Sequence, residues 1–324
     1  MAKSMRLGFK NIIILMLMMT ASGCASFNLG PSIKPFEEKV IMGKGADKVL
    51  LMDIQGLISN KSERSLTGFP IKMGMVERVR ESLMKAEEDD NIKALLLRIN
   101  SPGGTVTSSD IIYHEIKRFK EKKKIKVYVS IVDLAASGGY YIAMAGDTIM
   151  GHPTSLAGSI GVIAMKVNVD GLMKKIGVDW EVVKSGDKKD FLSPLRPLTE
   201  EELKLFQFTI DSFHNRFVEV IAENRPGLEL AQVKPLADGR VYNAKQALDA
   251  KLIDKIGYLD DTLDLIKKEL GVSEIKVVTY HRPGEYKSSV YSALPASPTV
   301  NLINIDLGLN LDKLSPHFMY LWML

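Results

Sequence analysis

Short apolar runs alternate with helical patterns through the first half of this 324-residue chain, and this alternation is the strongest constraint on its fold. The apolar runs lie at 49–54, 94–99 and 127–132, and each contains only one polar residue. Helical patterns follow them at 73–86, 108–120 and 138–145. Continuous apolar strands separated by helices indicate a parallel sheet that is covered on both faces. The predicted fold class is therefore α/β.

Beyond Val183 the pattern becomes mainly helical. The longest predicted helix covers Glu200 to Asn224, with Thr199 as its N-cap and three glutamates in its first turn. Shorter helices are predicted at 244–250 and 261–270, and a last strand at 274–280. No internal repeat is evident, so one copy of the structural unit is the simpler interpretation.

The single cysteine, Cys24, stands at the end of an export-type signal. A basic segment comes first, an apolar stretch runs from Ile12 to Met19, and Ala21-Ser22-Gly23 precede the cysteine. The apolar part is too short to span a bilayer as a helix. This order resembles the bacterial lipobox, although alanine stands at position 21 where leucine is usual. We expect a lipoprotein-type signal peptide over 1–23 and lipid attached to Cys24, which would hold the protein on the non-cytoplasmic side of a membrane in the bacterial cell envelope. An ordinary cleaved signal or an uncleaved anchor is the alternative.

Both ends of the chain differ in composition from its middle. Residues 24–46 combine Pro, Gly and mixed charge without clear periodicity, which is typical of a tether. A folded domain is expected over 47–283, followed by a tail over 284–324 whose last seven residues, Phe318 to Leu324, are apolar. Such an end can pack on the core, enter lipid or occupy an apolar groove of a neighbouring subunit. We favour packing on the core.

The charge pattern excludes one class of partner. The 43 basic and 39 acidic residues give a net charge of +4, which is too balanced and too dispersed to imply nucleic-acid binding. The densest basic patch, Glu121 to Lys126, has no interleaved aromatic residues and is typical of a solvated helix end. A lone cysteine also excludes intramolecular disulfides and multi-cysteine metal sites.

Two glycine-containing turns follow consecutive predicted strands. They are Asn100-Ser101-Pro102-Gly103-Gly104 and Ala136-Ser137-Gly138-Gly139-Tyr140-Tyr141. Because the carboxyl ends of parallel strands share one edge of the sheet, the two turns can meet there. The small residues around Ser137 leave room for a carbonyl group, and free backbone N–H groups can hold an oxyanion. Ser137 alone is better explained as an N-cap of the next helix, but the pair of turns favours a nucleophile.

A serine nucleophile needs a base. None of the five histidines stands in an evidently catalytic setting, and His152 is the best placed of them, so a Ser-His-Asp triad has weak support. Lysine can act as the base where burial lowers its pKa. The candidates lie in the stretch 182–194, and chemistry alone does not choose among Lys184, Lys188 and Lys189.

These residues resemble those of signal peptide peptidase A, a family of bacterial serine peptidases with a Ser/Lys dyad. The similarity covers roughly Val49 to Asp260. Besides the two glycine turns, the matching motifs are Ala157-Gly158-Ser159-Ile160-Gly161-Val162, Ser185-Gly186 through Lys189-Asp190, Ser193-Pro194, and Asp238-Gly239-Arg240-Val241-Tyr242. Their order along the chain makes coincidence an unsatisfactory explanation.

The resemblance implies a role for each matching residue. Ser137 corresponds to the nucleophile. Lys189, which stands directly before an aspartate, corresponds to the base, and Lys188 and Lys184 are the alternatives. The backbone N–H groups of Gly104 and Gly138 correspond to the oxyanion donors.

The resemblance also implies a crotonase- or Clp-protease-like fold of repeated β-β-α units with a parallel sheet and a mainly helical C-terminal portion. The expected activity is hydrolysis, through an acyl-enzyme, of remnant signal peptides and other apolar, extended polypeptides near a membrane. The expected assembly is a homo-oligomer in which serine and lysine come from neighbouring protomers, and no nucleotide, metal or other cofactor is expected.

There are three alternatives to this function. Clp protease has a catalytic histidine within the stretch that reads here Ser155 to Met165, and no histidine occurs there. A crotonase-like acyl-CoA enzyme would use the same paired N–H groups for a thioester oxyanion. An oligomeric membrane scaffold without activity is the third alternative.

Overall fold

The computed structural model describes residues 35–61, 63–64, 70–282 and 318–322. The predicted signal peptide and Cys24 lie outside the described residues, as does most of the predicted tail. The strands are β1 (Glu37–Met42), β2 (Lys48–Gln55), β3 (Glu63–Arg64), β4 (Pro70–Lys72), β5 (Ile92–Ser101), β6 (Gly103–Thr105), β7 (Lys126–Ala136), β8 (Thr148–Gly151), β9 (Leu156–Gly158), β10 (Val241–Asn243), β11 (Lys255–Ile256), β12 (Lys276–His281) and β13 (Met319–Leu321). The helices are α1 (Met75–Glu87), α2 (Val106–Lys123), α3 (Gly138–Ala143), α4 (Asp170–Lys175), α5 (Glu200–Asn224), α6 (Leu230–Val233), α7 (Ala244–Asp249) and α8 (Leu259–Leu270), and a 3₁₀ turn covers Lys234–Leu236.

A mostly parallel sheet forms the centre, with the strand order β1-β12-β2-β5-β7-β8-β11. Neighbouring strands from β12 to β11 run parallel, and only β1 lies antiparallel at one edge. The short β9 extends β7 in parallel and carries β10 antiparallel on its other side. The α/β prediction is confirmed, and the carboxyl ends of β5 and β7 lie side by side as expected.

Side chains of the central strands are buried on both faces of the sheet. On β2, Leu50 and Met52 join a large cluster with α1, α2, α3 and α5, whereas Val49 and Leu51 pack against α8 on the opposite face. Each fully buried aliphatic side chain stabilises the fold by about 1.5–3 kcal/mol relative to exposure. Burial on both faces explains why these strands read as continuous apolar runs.

The long C-terminal helix begins and ends as predicted. The Thr199 side chain accepts a hydrogen bond from the Glu202 N–H at 3.2 Å, and the Glu202 carboxylate accepts one from the Thr199 N–H at 2.9 Å. This reciprocal pair caps two otherwise unsatisfied N–H groups and sets the start of α5. None of the helices in the described ranges is long and apolar enough to cross a bilayer.

Part of the segment predicted as a tether belongs to the sheet. Residues 37–42 form β1, which pairs with β12, and the side chain of Phe36 just before it is buried. For these residues the tether prediction is wrong. Glu37, Glu38 and Lys39 make the segment look unstructured, yet charge of this kind is common on the edge strands of sheets.

Candidate active site

Ser137 occupies a sharp turn where β7 ends and α3 begins. Its φ of 54° and ψ of −115° are rare for a residue with a side chain and mark a strained strand-to-helix turn. The side chain is only 1% exposed, and its hydroxyl makes no hydrogen bond to any residue in the described part of the chain. It does not cap α3 either, so the N-cap explanation of this serine is wrong. A serine with a structural role would have a hydrogen-bond partner for its buried hydroxyl. The unpartnered hydroxyl of Ser137 therefore favours a catalytic role.

The strained turn is held by the neighbouring strand β9. The Ser137 N–H donates to the Gly158 carbonyl at 2.6 Å, and the Ser137 carbonyl accepts from the Tyr141 N–H at 2.8 Å. Gly158 itself has a φ of 103°, and a Cβ there would lie 2.8 Å from the Tyr242 ring. Gly158 and Tyr242 belong to two of the motifs found in the sequence. Their close contact explains why position 158 holds a glycine.

The second glycine turn forms β6, and the residues around Ile58 hold one edge of this strand. The Ser101 hydroxyl donates to the Gly56 carbonyl at 2.6 Å and accepts from the Gly103 N–H at 3.1 Å. The Gly103 carbonyl accepts from the Ile58 N–H at 2.8 Å, and the Thr105 N–H donates to the Ile58 carbonyl at 2.9 Å. Gly104 lies between Gly103 and Thr105. Because the backbone hydrogen-bonding groups of successive residues point to alternate edges of a strand, the Gly104 N–H points to the opposite edge of β6.

The two turns meet, as the sequence predicts. A Cβ added to Gly103 would lie 2.8 Å from the Gly138 nitrogen, and one added to Gly138 would lie 3.2 Å from the Gly104 nitrogen. Side chains at these positions would fill the space between the turns. The glycines therefore allow the backbone nitrogens of Gly104 and Gly138 to lie close to each other next to Ser137, and their role as oxyanion donors stays a prediction.

The end of the chain lies in this space as an antiparallel strand beside β6. β13 pairs Tyr320 with Gly104, and the bonds Val106 N–H to Phe318 O at 3.3 Å and Trp322 N–H to Pro102 O at 2.9 Å flank that pair. Hydrogen-bonded pairs recur every second residue in an antiparallel ladder, so Gly104 and Tyr320 also form one. Packing of the tail on the core is thus observed for 318–322.

The Tyr320 carbonyl oxygen is the atom that the glycines surround. It lies 3.2 Å from the position of a Cβ on Gly138 and 2.0 Å from that of a Cβ on Gly103. On its other edge, β13 exchanges two hydrogen bonds with Ile163, each of 2.9 Å. An extended peptide is therefore held from both sides, with one carbonyl directed at the predicted oxyanion donors.

Tyr141, in the same motif as Ser137, supports the floor of the groove. Its hydroxyl donates to the Asp110 carboxylate at 2.5 Å, and burial together with this carboxylate raises the pKa of the Tyr141 phenol. The phenol therefore stays neutral over the range in which proteins function, and its ring is fixed in place by a charge-assisted hydrogen bond.

The structure does not bring Lys189 to Ser137, whose hydroxyl has no partner among the described residues. Lys189 is exposed in the stretch between α4 and α5. The two alternative lysines are engaged elsewhere: the Lys184 ammonium lies 2.7 Å from Asp190, and the Lys188 ammonium lies 2.7 Å from Glu201. The hydrogen bond that Lys188 donates to the Glu201 carboxylate raises the pKa of Lys188, which is the wrong direction for a base.

An arginine organises the segment that carries these lysines. Arg196 donates to Asp190 at 2.8 Å and to Glu202 at 2.6 Å. Its guanidinium, aided by the Thr199 N–H, lowers the pKa of the Glu202 carboxyl to about 2, and Arg196 with Lys184 also lowers that of Asp190. The segment is thus fastened to the start of α5 by charge-assisted hydrogen bonds.

Two further candidate bases are not placed to act on Ser137. Burial lowers the pKa of His152, but its ring packs 5.4 Å from that of Tyr258 and makes no bond to the serine hydroxyl. Burial and the nearby Arg196 lower the pKa of Lys166, yet its ammonium donates to the Arg196 carbonyl. The described residues of one chain therefore supply the serine hydroxyl with no base.

An unpartnered serine on a strained turn, opposite paired glycine N–H groups on a parallel sheet, defines a serine hydrolase. Comparison with known proteins makes this more specific. The model of peptidase family S49 matches residues 119–273, and that of Clp protease matches 51–157. The chain belongs to peptidase family S49, the family of signal peptide peptidase A, and it is a serine peptidase of the Clp-protease-like fold.

Three relatives illustrate this membership. An Enterococcus faecium protein assigned as signal peptide peptidase SppA is 38% identical over 244 residues, which cover 75% of this chain and 70% of that protein. A Synechocystis protein assigned as a protease is 41% identical over 60% of this chain and 69% of its own length. The chloroplastic serine protease SPPA of Arabidopsis thaliana is 31% identical over 84% of this chain and 40% of its own length. Membership of a peptidase family sets aside the acyl-CoA alternative.

Sequence reasoning missed several residues that shape the groove. Ile58 and Ile163 act through their backbones, and no side-chain pattern identifies such residues. Asp110 lies on α2 and is separated from Tyr141 by 31 positions, so only the fold joins them. Tyr320 lies in the apolar end that the sequence singled out, although its position beside Gly104 was not predicted.

Proposed function

We propose that this chain is a membrane-associated serine endopeptidase that hydrolyses remnant signal peptides and other apolar, extended polypeptides through Ser137 and Lys189. One observation carries the proposal. The buried hydroxyl of Ser137 and the glycine N–H groups face a groove that holds an extended, apolar segment in β-pairing. Such pairing recognises backbone rather than sequence, which suits an enzyme for diverse apolar peptides.

The chemistry begins with a proton transfer. As the Ser137 Oγ attacks a peptide carbonyl carbon, its proton passes to the neutral Lys189 amine, and the N–H groups of Gly104 and Gly138 donate to the developing oxyanion. The C–N bond then breaks, and the leaving amine takes the proton from the lysine. Water, deprotonated by the same lysine, attacks the ester carbon and releases the acid, which restores the Ser137 hydroxyl.

The lysine is proposed to come from a second copy of the chain. The Ser137 hydroxyl lacks a base within the described part of its own chain, whereas Lys189 is exposed on a segment that ion pairs hold in shape. Apolar side chains around this segment are also exposed: Met165, Val167, Leu172, Ile176, Val178, Val182, Val183, Leu203, Leu205 and Phe208. A second copy that covers these side chains would complete the site, which supports a homo-oligomer.

Four proteins test the dyad: the wild type, Ser137→Ala, Lys189→Ala and, as the matched control, Lys188→Ala. Each is treated with a serine-directed fluorophosphonate and assayed on an apolar fluorogenic peptide. We expect labelling and hydrolysis to be lost in the first two variants and retained in the control. Equal labelling and activity in all four would refute the dyad, whereas no labelling and no activity in any of them would favour a scaffold.

Shared sites make a second prediction for co-expressed variants. Ser137→Ala and Lys189→Ala are each inactive alone, but a mixed assembly contains sites with an intact serine from one subunit and an intact lysine from its neighbour. Random mixing restores about a quarter of the sites. If a mixture remains as inactive as its parents, serine and lysine belong to the same chain.

The membrane location rests on Cys24, the only thiol of the chain, at the end of an export-type signal. Lipid on this residue would place the groove near the apolar peptides that membranes retain. Mass spectrometry of the mature protein tests this, because a lipidated N-terminal Cys24 adds the mass of two or three acyl chains. A mature chain with an unmodified Ala25 at its start would exclude lipidation.

A further inference from the structure

The motif Asp238-Gly239-Arg240-Val241-Tyr242 takes no part in the proposed chemistry, yet it lies next to the turn that carries Ser137. Its last two residues belong to β10, which pairs antiparallel with β9. β9 in turn pairs with the end of β7, where Gly158 stands opposite Ala136, the residue before Ser137. Only one short strand therefore separates this motif from the serine.

The backbone is strained on both sides of this junction. The φ angles of Ser137, Gly158 and Ser159 are 54°, 103° and 50°. A residue with a side chain keeps such a conformation only where the surrounding structure fixes it. Hydrogen bonds do so here: the Ser137 N–H donates to the Gly158 carbonyl at 2.6 Å, and the Ser159 N–H donates to the Arg240 carbonyl at 2.8 Å. The position of Ser137 therefore depends on the position of Gly158.

The Tyr242 ring packs against Gly158 from the strand on the other edge of β9. A Cβ at position 158 would lie 2.8 Å from the Cδ2 atom of the ring and 3.3 Å from its Cε2 atom, so the ring fills the space beside this glycine. The ring is buried, and its hydroxyl donates to the Leu236 carbonyl oxygen at 2.9 Å. Burial raises the pKa of the Tyr242 phenol, so the hydroxyl keeps the proton that it donates.

The segment that accepts this hydrogen bond is itself fastened to the core. The Leu236 side chain packs against the main hydrophobic cluster. The carbonyl oxygen of the next residue, Ala237, lies 2.8 Å from the Nε2 atom of His214 on α5, within hydrogen-bonding distance. The Tyr242 ring is thus held between an anchored segment and the backbone of Gly158.

We infer that Tyr242 is a positioning residue for Ser137 and that it acts through Gly158. The inference rests on the role of Ser137 proposed above. The ring keeps β9 against the end of β7, and the Gly158 carbonyl then holds the Ser137 N–H and with it the strained turn. Without the ring, Gly158 has room to move, and the turn relaxes to an ordinary conformation that takes the hydroxyl away from the substrate carbonyl.

Loss of the ring should lower kcat and leave KM almost unchanged. A misplacement of about 1 Å can lower a rate about 100-fold, so we expect kcat of Tyr242→Leu to fall by about 10- to 100-fold. The strand β6, which pairs with the bound segment, is held by Ile58 and not by β9, so KM should stay within about twofold of the wild type. Tyr242→Phe keeps the ring and loses one hydrogen bond, so its kcat should fall by no more than about threefold.

The test uses full-length wild type, Tyr242→Leu, Tyr242→Phe and, as the matched control, Tyr280→Leu. Tyr280 is also a buried tyrosine, but it lies on β12, which two strands separate from β7. Hydrolysis of an apolar fluorogenic peptide and the rate of fluorophosphonate labelling are measured below the thermal midpoint of each protein. We expect both rates to fall by the same factor in Tyr242→Leu and to stay unchanged in Tyr280→Leu, even if both variants lose stability.

Three results would overturn the inference. They are an unchanged kcat in a folded Tyr242→Leu variant, an equal loss in Tyr280→Leu, and an equal loss in Tyr242→Phe, which would assign the effect to the hydroxyl. If Tyr242→Leu does not fold, Tyr242→Met takes its place, because its flexible side chain fills the space without a rigid ring.

Ser137→Ala, measured in the same way, separates this inference from the function on which it rests. Retained hydrolysis and labelling in Ser137→Ala would refute the nucleophile itself. Loss in Ser137→Ala together with an unchanged Tyr242→Leu would leave the nucleophile in place and refute the positioning role of Tyr242 alone.

Discussion

A single methyl group at Gly138 should abolish most of the activity while leaving the fold intact. A Cβ at this position would lie 2.4 Å from the Ser109 hydroxyl oxygen, 3.2 Å from the Gly104 nitrogen and 3.2 Å from the Tyr320 carbonyl oxygen. The last two atoms mark the proposed oxyanion hole and the carbonyl that enters it. The methyl group therefore projects into the place of the reacting group.

The fold should tolerate this change. Gly138 is the first residue of α3, where alanine is a favourable helix former, and its φ is not positive. The atom nearest to the new methyl group is the end of a side chain, and a rotation of Ser109 gives up its 3.0 Å bond to the Thr105 carbonyl. The loss of about 0.5–1.5 kcal/mol is partly offset by the about 0.4–1 kcal/mol gained from replacing glycine.

The activity should not tolerate it. Displacing one donor of an oxyanion hole lowers kcat by about 10²–10³, or about 2.7–4 kcal/mol of transition-state stabilisation. We therefore expect Gly138→Ala to lower kcat/KM by at least about 100-fold and to change the unfolding free energy by less than about 1.5 kcal/mol.

Steady-state hydrolysis of a fluorogenic peptide and urea unfolding measure the two quantities. Ser273→Ala is the control, because this exposed residue lies between α8 and β12, away from the groove and from the surface proposed to contact a second copy, and its activity should equal that of the wild type. A Gly138→Ala variant that folds normally and retains kcat/KM within threefold of the wild type would show that this N–H group is not an oxyanion donor.

Three further predictions follow from the same contacts. Gly104→Ala should lower the thermal midpoint strongly, because its Cβ would lie 1.9 Å from the Ile58 carbonyl oxygen. This is a backbone atom that cannot rotate away, and an unchanged melting curve would contradict the prediction. Arg196→Met should lower the thermal midpoint at neutral pH. The pKa of Glu202 is lowered in the folded state, so the ion pair stabilises the fold fully above the ordinary pKa of 4.5 and loses this effect as the pH falls towards 2. The difference in thermal midpoint between wild type and variant should therefore narrow over that pH range. A constant difference would refute the ion-pair explanation. Deletion of 318–324 should raise kcat/KM for an apolar fluorogenic peptide at least about threefold, since the segment then no longer fills the groove, and slower hydrolysis would show that the segment supports the site instead.

Most of the fold could be predicted because burial leaves a direct mark on the sequence. Strands covered on both faces need apolar side chains at most positions, and β2, β5 and β7 were found within a few residues of their predicted ends. Helix α5 was predicted to the residue because its capping box is local chemistry. β1 was missed because an edge strand has one solvated side and carries charge.

The site was predictable only where it depends on local backbone geometry. The glycines beside Ser137 identify a crowded turn in the sequence, and the structure shows the crowding. The contacts of Tyr320 with Gly104, Tyr141 and Phe213 join positions more than 100 residues apart, and only the complete fold defines them. For Lys189, the described chain places the residue at the surface, and its role stays a prediction from family resemblance.

The two edges of β6 explain why recognition and catalysis are coupled. One edge is fixed to Ile58 by Gly103 and Thr105, so the other must present the N–H of Gly104. A peptide that pairs with this edge therefore delivers a carbonyl to the proposed oxyanion hole as a consequence of pairing. A shift by one residue would turn every side chain to the opposite face. The register of the backbone pairing thus sets which carbonyl lies between the glycine turns.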